Sequence, residues 1–165
     1  MQRLLSATFG LILPILGLAA DLQGWVVRIA DGDTLTVLDS ARHQHRVRIA
    51  GIDAPERYQP FGGRSRQNLA SLAFRKSATL DCYKVDRYGR DVCRVWVDRR
   101  DVGLAQVSAG LAWHYKYYQQ EQTPEERAAY TRAEDDARLS RLGLWADPKP
   151  VPPWEWRAER RSEVE

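Results

Sequence analysis

Trp25-Val26-Val27-Arg28-Ile29-Ala30, Asp31-Gly32-Asp33 and Thr34-Leu35-Thr36-Val37-Leu38 follow one another without a gap. The outer runs are rich in β-branched residues, and the short acidic break between them is a hairpin or bulge signal, so residues 25–38 read as two strands. A third strand is expected from Arg46 to Ile52. Strands four and five are expected over 78–83 and 92–97, the last with Val92, Arg94 and Trp96 alternating with Cys93, Val95 and Val97.

Between and after these strands the spacing turns helical. From Arg66 to Lys76, Leu69, Leu72 and Ala73 share one face. A second helix is expected from Asp101, as N-cap, to Ala109, closed by Gly110. The third carries the fullest start signal: Thr123 as N-cap, Pro124 at the first helical position and Glu126 completing a capping box, with Ala129, Ala133 and Ala137 striping one face up to Gly143. Beyond Trp145, Pro148, Pro150, Pro152 and Pro153 precede Trp154-Glu155-Trp156, and this proline spacing predicts an extended tail over 148–165. Three strands, a helix, two strands and then helices predict an α+β fold dominated by its strands: a five-stranded Greek-key barrel of the oligonucleotide-binding (OB) type with three helices. The same periodicity supports an open α+β sheet equally well.

The 165 residues suffice for one domain with a real core. With 25 Lys and Arg against 22 Asp and Glu, the net charge is only +3 and the pI about 9.0, which is compatible with nucleic acid without identifying it. Six Trp and seven Tyr are generous for this length; rings beside a basic groove can stack on unpaired bases, while ordinary packing accounts for most of them.

After Arg3, the run from Leu4 to Leu18 is mostly apolar, broken by Ser6, Thr8 and Pro14, and ends in Ala19-Ala20 ahead of Asp21. This is the layout of a secretory signal peptide over residues 1–20, cut after Ala19 or Ala20. An uncleaved membrane anchor is the alternative, but it needs roughly 20 unbroken apolar residues. No Cys follows the run, which argues against a lipid anchor. The expected product is exported, periplasmic or secreted, a monomer without stable membrane association, its folded domain spanning 21–147.

Cys82 and Cys93 flank a stretch, Tyr83 to Val92, that contains the turn-like Asp86-Arg87-Tyr88-Gly89-Arg90, so antiparallel pairing would set them opposite one another. In an oxidising compartment they form a disulfide stapling the hairpin; otherwise they are two small buried hydrophobes. His43, His45 and His114 are scattered, and no Cys/His spacing suits zinc.

Chemistry concentrates at 31–34, 48–56 and 86–90. Asp31 and Asp33 project on the same side of an extended chain, and Gly32 permits close backbone approach, although Asp-Gly-Asp alone is equally a surface turn. Asp53 follows strand three directly, and Pro55 fixes the backbone before Glu56; a polar loop with a helix-capping acid is the plain alternative. Arg48 interrupts an apolar strand, so it lies at a rim or is paired with an anion. Arg90, beside Gly89, reads by itself as an exposed hairpin arginine. A hard divalent cation takes oxygen ligands, a phosphate takes guanidinium donors and an attacking water needs a carboxylate beside it. The joint occurrence of these groups therefore points to metal-assisted cleavage of phosphodiesters.

Four ordered motifs resemble those of the staphylococcal nuclease-like (thermonuclease) family: Ile29 to Thr34, Arg48 to Glu56, Asp86 to Arg90, and Gly110-Leu111-Ala112. The likeness runs from Gly24 to about Trp145, and Pro152-Pro153-Trp154-Glu155-Trp156 resembles the ends of exported bacterial members. The resemblance implies an OB barrel with three helices and a calcium-dependent nuclease acting on DNA and RNA and leaving 3′-phosphate ends. It implies Asp33 and Asp53 as side-chain calcium ligands, Ala54 as a main-chain carbonyl ligand and Asp31 in second rank near the ion. Glu56 matches the general base, and Arg48 and Arg90 match the phosphate-clamping pair. Ala54 stands where the staphylococcal enzyme has a threonine, which leaves a main-chain ligand intact, and the loop from Arg57 to Gly63 is shorter than in that enzyme.

A stacking tyrosine is implied after Gly110-Leu111-Ala112, where Trp113, Tyr115, Tyr117 and Tyr118 compete and register favours Tyr118; Tyr88 is a further candidate wall. Single-stranded or opened substrate is expected to be preferred, because a small pocket must reach a splayed backbone. The rival reading is a non-catalytic OB-fold module that only holds nucleic acid or a modified peptide. A cell-surface structural domain with an incidental acidic patch is a third, and it leaves the arginine pair unexplained. The joint presence of Asp33, Asp53, Glu56, Arg48 and Arg90 argues against the binding module, since binding alone does not require a base beside a metal.

Overall fold

The structure is a computed structural model that describes residues 22–162. Its elements are β1 (Leu22–Ile29), β2 (Thr34–Asp39), β3 (Gln44–Ile49), β4 (Ile52–Asp53), α1 (Gly62–Ala73), β5 (Ser77–Val85), β6 (Asp91–Val97), β7 (Arg100–Asp101), α2 (Val102–Ser108), β8 (Trp113–His114), α3 (Pro124–Leu139) and α4 (Pro153–Ser162). The region expected as a signal peptide, residues 1–20, lies outside the described residues.

Pairing closes five of these strands into a barrel. β1 runs antiparallel to β2 and β5, β2 to β3, and β5 to β6. β3 then pairs in parallel with β6, Val47 opposite Asp91 and Ile49 opposite Cys93, which completes the circle and decides for the barrel over an open sheet. Alternation supplies the core: Leu35, Val37, Val47, Ile49, Leu80 and Val95 are buried inside. Val26 and Ile29 also point inward although three residues apart, because a bulge between Val26 and Arg28 shifts the phase of β1.

The expected third strand divides. β3 ends at Ile49, the chain turns through Gly51 at φ +74°, and Ile52 and Asp53 pair instead with His114 and Trp113 of β8. That separate pairing carries Asp53 out of the barrel wall to its end, beside the loops.

Two of the three expected helices form where their caps predict. Asp101 caps α2 by accepting from the Leu104 amide, and both halves of the Thr123–Glu126 capping box are present at α3. α1 begins earlier than Arg66, at Gly62, because Phe61 takes a left-handed conformation and turns the chain into the helix; it ends at Ala73 rather than Lys76, where Phe74 is extended.

A fourth helix corrects the expectation of an extended tail. Pro153 opens α4, a position where the missing N–H costs no hydrogen bond, and Glu155 in the first turn with Arg160 and Arg161 in the last complement the helix dipole. What folds the segment back is aromatic burial. Trp154 packs edge-on against Trp113 at 5.6 Å and stacks on Tyr115 at 5.4 Å, joining a second core cluster of Trp113, Ala137, Leu144 and Trp145. Gln59 fastens it further, its amide donating to the Val151 carbonyl at 2.7 Å. Among the described residues no helix is long and apolar enough to cross a membrane.

Cys82 and Cys93 face one another directly across β5 and β6 and are joined by a disulfide. Its loop is short, so the crosslink removes only modest entropy from the unfolded chain. Reduction is expected to cost about 2–3 kcal/mol. Urea unfolding with and without reductant measures this; identical midpoints would show that the bridge adds no stability.

Candidate active site

Gly32 fixes the acidic break between β1 and β2. A Cβ there would lie 1.9 Å from Ser65 Oγ and 2.7 Å from Ala54 Cβ, so the backbone approaches α1 as no other residue allows. Its carbonyl accepts from the buried Gln106 side chain of α2 at 2.6 Å. The segment is not extended, however. The Asp33 amide donates to Asp31 Oδ1 at 3.0 Å, so the chain bends and the Asp31 carboxylate turns back on its own backbone instead of standing parallel to that of Asp33.

Asp33 is buried and organised from two sides. Oδ1 accepts from the Thr34 hydroxyl at 2.9 Å and Oδ2 from the Ala54 amide at 2.9 Å. The second bond ties the first acidic segment to the second. Arg48, opposite Thr34 in the β2–β3 register, lies between Asp33 and Asp53: Nη1 is 3.3 Å from Asp33 Oδ2, and Nη2 donates to Asp53 Oδ1 at 3.2 Å. The arginine in the apolar strand is thus paired, as a buried charge must be.

Burial works against the Arg48 charge, and Asp33, Asp53 and Asp31 more than offset it, holding the guanidinium charged. The same burial raises the Asp53 carboxyl above the ordinary range, opposed by the hydrogen bond from Arg157. Asp31 is pushed up to about 7, by burial first and then by the charge of Asp33. Burial, more than the neighbouring charge, therefore holds these two carboxyls up.

Arg90 enters from the β5–β6 hairpin. Its Nε donates to Asp86 Oδ2 at 2.7 Å and Nη1 to Thr34 Oγ1 at 3.2 Å, so the expected exposed hairpin arginine is instead a braced one. Burial acts to raise the Asp86 carboxyl, but the amide and guanidinium of Arg90 outweigh it and hold Asp86 ionised below its ordinary value.

One cavity of about 640 Å³ collects the predicted residues. Asp31, Asp33, Arg48, Asp53, Ala54 and Glu56 line it together with Arg90, Tyr88 and Tyr118. Tyr88 and Tyr118 are exposed, with Lys84 Nζ 4.4 Å from the Tyr118 ring and Arg90 5.4 Å from that of Tyr88. Cys82 and Cys93 stand outside it, stapling the two strands that carry the Arg90 hairpin.

Two further residues contribute, the second of which escaped the sequence reading. Tyr115, weighed below Tyr118, also lines the cavity, against Trp154. Arg157, from α4, donates to Glu56 Oε1 at 2.7 Å and to Asp53 Oδ2 at 2.8 Å, with Asp53 Oδ1 at 3.3 Å. The available signal was helical spacing: one turn beyond Trp154, Arg157 follows the same face as that half-buried ring.

The donor set fits a hard divalent cation. Asp33 and Asp53 offer carboxylate oxygens, and neither thiolate nor imidazole lines the cavity. Among the described residues no three acidic, imidazole or thiol side chains form a ready-made ligand set, so an ion here would keep part of its shell for water and a phosphate oxygen.

Comparison with known proteins gives this arrangement its lineage. Residues 46–147 match the staphylococcal nuclease homologue family. The chain belongs to the staphylococcal nuclease family. Protein ParB of Escherichia coli is 44% identical over 152 residues, covering 87% of this chain and 83% of that protein. A micrococcal nuclease of Shigella flexneri is 42% identical over 87% of this chain and 84% of its own length. A protein of Haemophilus influenzae named an uncharacterized endonuclease is 38% identical over 82% of this chain and 73% of its own. This staphylococcal nuclease-like chain is a nuclease, a phosphodiesterase hydrolase with nucleic acid as its substrate. Its barrel presents the arginine pair and the acids at one end of β2, β3 and the β5–β6 hairpin.

Proposed function

We propose that this nuclease is calcium-dependent, cleaves both DNA and RNA, prefers single-stranded or opened substrate, and leaves 3′-phosphate ends. The observation that carries the reading is the convergence in one cavity of the Asp33–Asp53 pair, Glu56, and arginines from β3 and from the β5–β6 hairpin. Asp33 and Asp53, with the Ala54 carbonyl, would hold the ion, and Asp31 lies in second rank. Bound there, calcium supplies charge compensation for the phosphate and orientation for a water molecule.

The chain's own groups do the rest. Glu56 Oε atoms accept the proton of the attacking water as its oxygen bonds to phosphorus. Arg48 and Arg90 donate to the non-bridging oxygens, where charge grows, and the bond to the 5′ oxygen breaks, that leaving oxygen taking its proton from solvent water. Tyr88 and Tyr118 at the rim offer ring faces to unpaired bases, which favours splayed strands over duplex.

We also propose export to the periplasm or medium. The apolar run before Asp21 and the Cys82–Cys93 disulfide both suit an oxidising compartment.

The chemistry is tested on end-labelled single-stranded DNA, duplex DNA and RNA of one sequence. Fragments that a template-independent nucleotidyl transferase cannot extend at their 3′ ends until a phosphatase has removed the terminal phosphate are expected, with the duplex cut more slowly. Products carrying 3′-hydroxyl ends would overturn the assignment of the broken bond.

A further inference from the structure

α4 places a cation against both carboxylates that matter most in the proposed chemistry. The Arg157 guanidinium reaches both oxygens of Asp53, at 2.8 and 3.3 Å, and one oxygen of Glu56 at 2.7 Å. Asp53 is almost fully buried, its side chain 2% exposed, whereas that of Arg157 is 36% exposed. One partner is fixed and the other has a path to solvent. The helix behind it is anchored independently, by Trp154 in the aromatic cluster and by the Gln59–Val151 hydrogen bond. Gln59 also binds the Glu56 loop, accepting from the Glu56 amide at 3.0 Å, so the tail and the Glu56 loop are held as one unit.

Asp53 already has Arg48 on Oδ1, which makes Arg157 a second guanidinium on one carboxylate. Oxygens bound in this way cannot at once serve a divalent cation at full strength, and the Glu56 oxygen that accepts from Arg157 is not free to accept from a water molecule.

We propose that Arg157 is a positioning residue of the nuclease site: a tethered cation that holds Asp53 and Glu56 and competes with a divalent cation for them. The proposal rests on the calcium reading given above. Arg157 sets the concentration of ion at which the site switches from carboxylates paired to the tail to carboxylates available for catalysis. Its tether is the C-terminal helix, so docking of α4 and binding of the ion are coupled with opposite sign.

Calorimetric titration of the full chain with calcium tests this without using activity. Arg157→Gln is expected to bind calcium about tenfold more tightly than the parent, the order expected when a bidentate ion pair no longer has to be given up. Arg157→Lys, which keeps the charge but loses the fork, is expected to fall between them. The rise in melting temperature on adding calcium should be larger in Arg157→Gln than in the parent, which a merely structural role would not produce. Equal or weaker calcium binding by a folded Arg157→Gln, judged by circular dichroism, would overturn the competition while leaving the calcium reading intact. Absence of calcium binding by parent and variant alike, at millimolar ion, would overturn both.

Discussion

Glu56→Gln is expected to lower kcat by about 10²- to 10⁴-fold while leaving KM within severalfold, the range of a lost general base. The carboxamide keeps the volume and one acceptor oxygen, so the contact with Arg157 Nη1 survives in shape, and the Glu56 amide still donates to Gln59. What disappears is the ability to take a proton from water. The variant should therefore bind single-stranded DNA as the parent does and turn it over far more slowly. Steady-state kinetics on a labelled oligonucleotide, with binding followed by anisotropy, separates the two. A rise in KM with kcat unchanged would make Glu56 a binding residue.

Arg90→Lys is expected to lower kcat/KM by about 10²- to 10³-fold, the scale of removing one oriented donor from developing charge. Lysine keeps the charge but not the planar fork. In the structure that fork is braced twice, on Asp86 and on Thr34 Oγ1, leaving it aimed into the cavity. A lysine ammonium cannot meet both braces and a phosphate at once. The loss should fall mainly on kcat, because the interaction strengthens as the phosphate gains charge. A change of less than threefold would place Arg90 among the residues that only shape the hairpin.

Much of this was legible beforehand, and for identifiable reasons. The β1–β2 pair, the helix starts at Asp101 and Thr123 and the Cys82–Cys93 staple all depend on neighbours close in sequence or directly across a hairpin, where local rules are strongest. Ile52 reads as the end of strand three because it is apolar and contiguous with it, and Asp53 as the residue directly after. Their pairing with β8 depends on residues 113–114, and no local signal carries that. The bend at Asp31 likewise depends on a side chain satisfying a nearby amide, a competition that alternation does not register. Proline spacing misled at the tail. Pro152 and Pro153 restrict the backbone but permit a helix start, and the burial of Trp154 among Trp113, Tyr115 and Trp145 decides between the two outcomes. Arg157 was hidden for the same reason, since its place in the cavity follows only once that ring is docked.

That these residues would gather in one cavity was legible because ordered motifs marked them, while their arrangement there was not. Asp33 linked to the Ala54 amide, Arg48 between two aspartates, and Arg90 held by Asp86 are contacts across 21, 5 and 4 residues of chain. They explain why so many ionisable groups coexist at one barrel end: each buried charge faces an opposite one or a hydrogen-bond donor.

Metal dependence is the most direct test. Purified protein lacking residues 1–20, given single-stranded DNA with calcium or with an excess of chelator, should cleave in the first case and stop in the second, with activity returning when calcium is restored. Equal cleavage under both conditions, or no cleavage with calcium while DNA is still bound, would contradict a calcium-dependent nuclease built on Asp33, Asp53 and Glu56.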